Sequence, residues 1–203
     1  MKELSLNVLD ITKNSVKAGA TLIDISLVEV GTLLTMTITD NGCGIEPEYM
    51  PNAFVRHATS KIRTAEDLDA IMTLGFRGEA LAAIASVSRM PLLILAAEQT
   101  GGTVTIESRH EEDHPEDHGT VVTATFHTDH IDFTPIGDLV STMETLIMGS
   151  PEIDFTFVHD ANGHRVELDT RQLREVLGEV PLDSYEIIQW IGDFLREQYQ
   201  PAE

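Results

Sequence analysis

The sequence predicts an α+β fold, a two-layer α/β sandwich with helices on one face of a mixed β-sheet. Two observations support this fold class. The chain contains both amphipathic helical patterns and runs of alternating apolar residues, and these follow one another in the order helix, hairpin, helices and hairpin. The last third differs in character, so we expect one domain at residues 1–130 and a C-terminal helix-hairpin-helix extension at residues 131–203 packed on it.

The first element is an amphipathic helix, predicted at residues 3–18. Leu4, Val8 and Ile11 fall on one face of it, as residues spaced by three or four positions do in a helix. Gly19 is expected to end the helix, because glycine accepts the backbone conformation that helix termini often need.

Two strands are predicted next, at residues 22–28 and 33–39. Ile23 and Ile25 alternate with polar residues in the first run, and the second run is rich in β-branched residues. The two strands should form a hairpin that leads directly into the loop DNGCGI at residues 40–45.

The middle of the chain is predicted to be mostly helical. We expect helices at residues 47–54, 65–72 and 74–87. Residues 89–102 contain the apolar run PLLILAA, which fits a buried strand and a buried helix equally well.

Two strands are expected next, at residues 103–108 and 119–126, followed by one long helix at 135–148. A hairpin at 154–168 and two final helices at 170–177 and 184–199 complete the prediction. Pro135 suits the first turn of the long helix, and the hairpin is expected to turn at Ala161, Asn162 and Gly163. Trp190 falls on the apolar side of the last helix and is predicted to lie in the core, with contact to a partner as the alternative.

The composition restricts the cellular compartment and the classes of binding partner that we expect for the protein. The net charge is −21, from 13 Lys and Arg against 34 Asp and Glu, which argues against a general nucleic-acid-binding surface. No apolar run approaches the roughly 20 residues that span a bilayer. The single cysteine and the acidic residues near the N-terminus, where a signal peptide would be basic and then apolar, predict a cytoplasmic protein.

The basic residues concentrate in one part of this acidic chain, which suggests an anion as ligand. They include Arg56, His57, Lys61, Arg63 and Arg77. In LGFRGEALAAIA, at residues 74–85, two glycines precede a helix whose N-terminal N–H groups and dipole favour negative charge. The alternative is an ordinary helix N-terminus without a ligand.

The loop DNGCGI places a carboxylate at the end of a strand. Asp40 can accept a hydrogen bond from an exocyclic amine, and Gly42 and Gly44 allow a flat ligand to approach the backbone closely. The alternative is a β-turn in which the aspartate caps its own backbone.

Asp10 and Asn14 lie one turn apart on the predicted first helix. An amide oxygen suits Mg²⁺, which takes oxygen ligands and often bridges phosphates. A carboxylate one turn away could orient a water molecule for attack. The alternative is a solvated polar helix face.

Residues 109–118, RHEEDHPEDH, contain three histidines among acidic residues. Such a segment can bind a divalent metal weakly. A charged segment between two strands is more often a solvated hairpin loop, and we expect that here.

The order of these motifs resembles the GHKL superfamily of ATP-binding domains, which includes gyrase, the Hsp90 chaperones, histidine kinases and MutL. The shared order is Asn14 on a helix, D-x-G-x-G at residues 40–44, ATSK at 58–61, GFRGEAL at 75–81 and then Gly119-Thr120. The stretch from DNGCGI to IASVSR is similar to the MutL ATPase almost letter by letter. The flanks, MKELSLNVLDITKNSVKAGA and the residues from AAEQTGG onward, resemble bacterial histidine-kinase-like ATP-binding proteins. We therefore interpret the chain as a mosaic, consistent with an engineered chimera, of a kinase-like frame and a MutL-like lid.

The resemblance implies ATP or ADP with Mg²⁺ as the ligand and assigns roles by position. Asn14 would ligate Mg²⁺, Asp40 would bind the adenine amino group, and Thr120 would support the base. The other implied site residues are Ala18 on the sugar side, Gly42, Gly44 and Ile45 beside the base, Thr59, Ser60 and Lys61 in a lid, and Gly75, Phe76, Arg77, Gly78, Glu79, Ala80 and Leu81 around the phosphates, the lid and phosphate loop together spanning about residues 50–88.

One departure from MutL bears on catalysis. Where MutL has a catalytic glutamate, this chain has Asp10, which is one methylene shorter. The resemblance therefore implies nucleotide binding with slow or absent hydrolysis, with Asp10 as the catalytic residue of a weak ATPase. A histidine-kinase-like or anti-sigma-type kinase or regulator, and a non-catalytic scaffold with a vestigial site, are the alternatives. The expected partner is a nucleotide, with a protein partner or a homodimer left open, and neither membrane nor nucleic acid is expected.

Overall fold

A computed structural model of the chain describes residues 3–48, Met50 and residues 90–200. Its centre is a six-stranded mixed sheet in the order β3-β4-β2-β1-β5-β6. The strands are β1 Leu22–Val30, β2 Leu33–Asp40, β3 Val104–Arg109, β4 Gly119–His127, β5 Asp154–Ala161 and β6 His164–Asp169. β1 and β5 run parallel and the other neighbours are antiparallel. The predicted α+β fold class with a mixed sheet is confirmed.

The helices that belong to the described residues are numbered α1 to α5. They are α1 Leu4–Lys17, α2 Met90–Gln99, α3 Leu139–Gly149, α4 Thr170–Leu177 and α5 Tyr185–Gln198. None of these helices has the length and apolar character needed to cross a bilayer. The helices predicted at 65–72 and 74–87, and most of the one at 47–54, lie outside the described residues.

The core lies on one face of the sheet. In β1 and β2 every second side chain is buried, and the register pairs Ile25 with Ile38 and Leu27 with Met36. Since side chains alternate between the two faces of a strand, these residues share one face, and the helices cover it. Each fully buried side chain of this size stabilises the fold by about 1.5–3 kcal/mol.

The segment 89–102, which the sequence left between strand and helix, contains α2. Leu93 and Ala97, four residues apart, are buried, whereas Leu92 and Leu95 are more than 40% exposed. The helix therefore has one covered face, which packs mainly against β4. The apolar run alone did not distinguish a strand from a helix, because its apolar residues are distributed almost evenly around the helix.

The prediction that Pro135 begins a helix is wrong, because α3 begins only at Leu139, with Asp138 as its N-cap. The carbonyl groups of Pro135 and Ile136 instead accept hydrogen bonds from the amides of Leu4, at 2.9 Å, and Ser5, at 2.7 Å. These carbonyls satisfy the first amides of α1, whose N-cap residue makes no side-chain cap. The N-terminus of α1 is thereby attached to the connection between β4 and α3.

Trp190 was also predicted incorrectly, since it is 48% exposed and stacks on Phe194 at the surface, with ring centroids 5.0 Å apart. The buried side of α5 is carried by Ile191 and Leu195. Trp190 precedes Ile191 by one residue, so it lies about 100° around the helix from the buried seam.

Candidate functional site

Asp40, the last residue of β2, is the centre of the candidate site. Its Oδ2 accepts a hydrogen bond from the Ser15 hydroxyl of α1 at 2.6 Å, and its Oδ1 accepts one from the Gly42 amide at 3.0 Å. The backbone of Thr120, its register partner on β4, also interacts with this carboxylate and lowers its pKa. Helix, loop and neighbouring strand therefore all hold the same carboxylate.

Burial raises the pKa of Asp40 above the ordinary range of aspartate, and the hydrogen bonds from Ser15, Gly42 and Thr120 oppose this rise. An ionised carboxylate has about four acceptor positions. The Ser15 hydroxyl and the Gly42 amide occupy two of them, so the carboxylate keeps acceptor capacity for a ligand. A partly desolvated acceptor of this kind is suited to an N–H donor, because a hydrogen bond to a charged group gains strength where water is excluded.

Asn41 fastens the loop to the beginning of β1. Its side-chain carbonyl accepts hydrogen bonds from the amides of Thr21 and Leu22, both at 2.9 Å, and its Nδ2 donates to the Thr21 hydroxyl at 2.8 Å. The side-chain oxygen of Asn41 is thus used by the fold, whereas the carboxylate of Asp40 keeps acceptor capacity for a ligand.

Gly42 packs against the end of α1. The next amide, that of Cys43, donates to the carbonyl of Ala18 at 2.9 Å. A Cβ atom on Gly42 would lie 2.9 Å from both the Cβ and the carbonyl oxygen of Ala18, closer than real Cβ contacts, and 3.1 Å from Oδ1 of Asp40. The loop can therefore lie this close to the helix only with glycine at residue 42.

Gly44 and Ile45 lie against β3. Gly44 has a φ of +75°, and a Cβ atom there would be 2.1 Å from the carbonyl oxygen of Arg109. The Ile45 amide donates to the Ser108 hydroxyl at 2.8 Å, and that oxygen is also 3.0 Å from both the Gly119 carbonyl and the Thr120 hydroxyl. Because Ser108 has one hydroxyl hydrogen and Gly119 offers only an acceptor, Thr120 must be a donor to Ser108.

Asp10 and Asn14 lie on α1, and both are partly buried. Asn14 directly precedes Ser15, the residue that binds Asp40. The helix that carries them is held at its N-terminus by the segment 135–136 and at its C-terminus by the loop around Asp40.

Residues 2–130 match the family model described as Histidine kinase-, DNA gyrase B-, and HSP90-like ATPase. The chain belongs to this family. It is an ATP-binding domain of the GHKL type. The family match ends at residue 130, so β5, β6 and α3 to α5 lie beyond it, although β5 pairs directly with β1 in the same sheet.

Curated relatives of this GHKL domain include DNA mismatch repair protein MutL from Listeria monocytogenes serotype 4a (strain HCC23), which is 36% identical over 185 residues. That alignment covers 85% of this chain and 30% of the relative. MutL from Salmonella arizonae is 54% identical over 93 residues, covering 46% of this chain and 15% of the relative. The chain thus spans less than a third of the length of these relatives.

A solved structure, the Aquifex aeolicus MutL ATPase domain complexed with ADP, is 16% identical with a TM-score of 0.46 and covers 85% of this chain and 68% of that chain. The Listeria alignment is not restricted to the middle of the chain but extends into the flanks. The family match and the alignment with the Listeria relative therefore support a MutL-like GHKL domain and give no support to the interpretation as an engineered mosaic.

The structure of this GHKL domain brings together the described residues that the sequence predicted around the base. They are Ala18, Asp40, Gly42, Gly44, Ile45 and Thr120. Asp10 and Asn14 lie on the helix that contacts this group. Residues 59–61 of the lid and 75–81 around the phosphates lie outside the described residues, so their roles stay predictions.

Sequence reasoning missed three residues that build the site: Ser15, Asn41 and Ser108. Ser15 follows Asn14, and Asn41 belongs to the D-N-G turn, so both carried a local signal. Ser108 carried none, because its contacts to residues 45 and 119 depend on strand register. In the histidine-containing loop, residues 111–117 are exposed, which confirms a solvated loop, and the described residues form no cluster of metal-ligating side chains.

Proposed function

We propose that this GHKL domain binds ADP or ATP together with Mg²⁺ at the Asp40 loop, and hydrolyses ATP slowly or not at all. The observation that carries the proposal is the Asp40 carboxylate. The Ser15 hydroxyl and the Gly42 amide orient it and leave acceptor capacity for a ligand, beside glycines that keep the backbone free of side chains.

Adenine fits this arrangement because its exocyclic amine is an N–H donor on a flat ring. In the proposed complex Asp40 accepts a hydrogen bond from that amine, and Gly44 and Ile45 lie beside the ring. Ala18 lines the sugar side. Thr120 supports the base indirectly, since its backbone interacts with Asp40 and its hydroxyl holds Ser108.

The amide oxygen of Asn14 is the proposed protein ligand of Mg²⁺. Mg²⁺ usually keeps several water ligands and binds phosphate oxygens, so a single amide oxygen on a rigid helix fits its requirements. When bound, the ion would neutralise charge on the phosphates. The lid and phosphate residues that the resemblance assigns, among them Lys61 and Arg77, are part of the same proposal.

Calorimetric titration of ADP, and of a non-hydrolysable ATP analogue with and without Mg²⁺, tests the proposal. We expect one nucleotide per chain, tighter binding of the analogue with Mg²⁺, and weaker binding of inosine diphosphate, which has an oxygen in place of the exocyclic amine. No saturable binding of either adenine nucleotide would contradict the proposal.

Asp10→Glu is expected to raise ATP turnover about tenfold with little change in affinity. A general base must reach its water to about 3 Å, and a misplacement near 1 Å can cost about a hundredfold in rate. Because α1 is attached at both ends, the length of the side chain at residue 10 sets this reach. Steady-state phosphate release at saturating Mg-ATP measures the effect.

Asp10→Asn serves as the control for the role of the carboxylate, since an amide cannot take a proton from water. This variant should bind ADP as the parent does and should lose whatever turnover the parent shows. If it hydrolyses ATP as fast as the parent, Asp10 is not the base.

A further inference from the structure

The loop between β3 and β4 makes two contacts with the loop that contains Asp40. The amide of Glu111 donates to the carbonyl of Cys43 at 3.0 Å. Nδ1 of His118, whose ring is partly buried, is 2.6 Å from the carbonyl oxygen of Gly42. The imidazole thus contacts a residue, Gly42, that follows Asp40 by two positions in the chain.

The contact between His118 and Gly42 specifies where the imidazole proton is. A carbonyl oxygen has no hydrogen to donate, so Nδ1 of His118 must carry the proton. In the neutral ring this is the Nδ1–H tautomer, and the imidazolium also has a proton there.

The peptide group between Gly42 and Cys43 is consequently held at both ends. Its carbonyl accepts from His118 Nδ1–H, and its N–H donates to the carbonyl of Ala18. A peptide that follows glycine rotates more freely than others, because no Cβ restricts it. Rotation of this peptide would shift Gly42, whose own amide orients Oδ1 of Asp40.

We infer that His118 is a positioning residue for base recognition: through the Gly42–Cys43 peptide it keeps the Asp40 carboxylate oriented toward an exocyclic amine. The inference rests on the proposed function, since it assigns to His118 the selectivity of the same site. His118 itself contacts the loop and is not a catalytic residue.

The test compares three substitutions of His118 with a matched control. Asparagine places an N–H group near the position of Nδ1, glutamine places one nearer Nε2, and leucine has none. His114→Leu, at an exposed position of the same loop, is the control. Calorimetry measures the affinities for ADP and for inosine diphosphate in each protein.

His118→Leu and His118→Gln should weaken ADP binding about five- to tenfold, as expected for the loss of one net hydrogen bond. The preference for ADP over inosine diphosphate should fall by a similar factor. His118→Asn should keep most of both, and His114→Leu should match the parent. A purely structural role would lower thermal stability without changing the preference between the two nucleotides.

A measurement on the empty parent protein makes the inference testable without any nucleotide. Nitrogen chemical shifts of the imidazole at pH 8 should show the Nδ1–H tautomer for His118, and the Nε2–H tautomer would overturn the inference. An unchanged nucleotide preference in His118→Leu overturns only the role of His118. A parent that binds no ADP overturns the proposed function and this role together.

Discussion

Asp40→Asn is expected to weaken ADP binding by about 2–4 kcal/mol, which is roughly 30- to 900-fold in affinity. The ligand would lose a charge-assisted hydrogen bond. The single oxygen of the asparagine would still accept the hydrogen bond from the Gly42 amide. Its NH2 group would then face the exocyclic amine of adenine, so that two N–H donors would oppose each other. Calorimetric titration of ADP into parent and variant measures the difference.

The same substitution should leave the empty protein as stable as the parent or slightly more stable at pH 7. Burial raises the pKa of Asp40, so the folded chain retains a proton at a pH where the unfolded chain has lost it. For such a group, stability falls as pH rises through the two pKa values, and the ionised form opposes folding at neutral pH. Removing the charge removes that cost.

The pH dependence of binding gives a second check on Asp40. In the parent, ADP affinity should fall on acidification as Asp40 takes up a proton, beginning above the ordinary range of aspartate. The asparagine variant should lack this contribution. Asp160→Asn is a matched control, because Asp160 also accepts a turn amide, that of Gly163 at 2.7 Å, and its register partner Val28 is near the other end of β1. Equal ADP affinity in Asp40→Asn and the control would contradict the proposed base site.

Gly44→Ala should destabilise the protein by about 3 kcal/mol or more and abolish most nucleotide binding. A φ of +75° already disfavours alanine, and its Cβ would lie 2.1 Å from the carbonyl oxygen of Arg109. Backbone atoms must then move apart, and the hydrogen bond from Ile45 to Ser108 is the first contact at risk. Urea unfolding of the empty proteins measures the stability change.

Gly19→Ala is the matched control, because Gly19 has the same φ of +75° and nothing within 4 Å of a Cβ atom. It should cost about 1–2 kcal/mol, the usual penalty of a left-handed conformation for a residue with a Cβ. The difference between the two variants therefore isolates the close approach of the loop to β3. Equal losses would show that crowding at Gly44 contributes nothing.

Local sequence patterns were sufficient for the elements that face a single core. The alternation in β1 and β2 and the helical spacing in α1 appear where they were predicted, and the C-terminal hairpin turns at Asn162 and Gly163, both with positive φ. These features follow from the period of the backbone and from residues close together in the chain. The Asp40 loop was likewise visible as a motif, because its glycines and its carboxylate are contiguous.

The tertiary structure decided the features that depend on distant partners. Pro135 by itself suits the start of a helix, but its carbonyl accepts a hydrogen bond from the first turn of α1. Trp190 was assigned to the core because periodicity does not show which side of a helix is covered by a neighbouring element. Ser108 and His118 became recognisable only when strand register placed them beside the Asp40 loop. Period and turn chemistry are local properties of the chain, whereas the partner of a carbonyl or a carboxylate is set by packing between segments far apart in sequence.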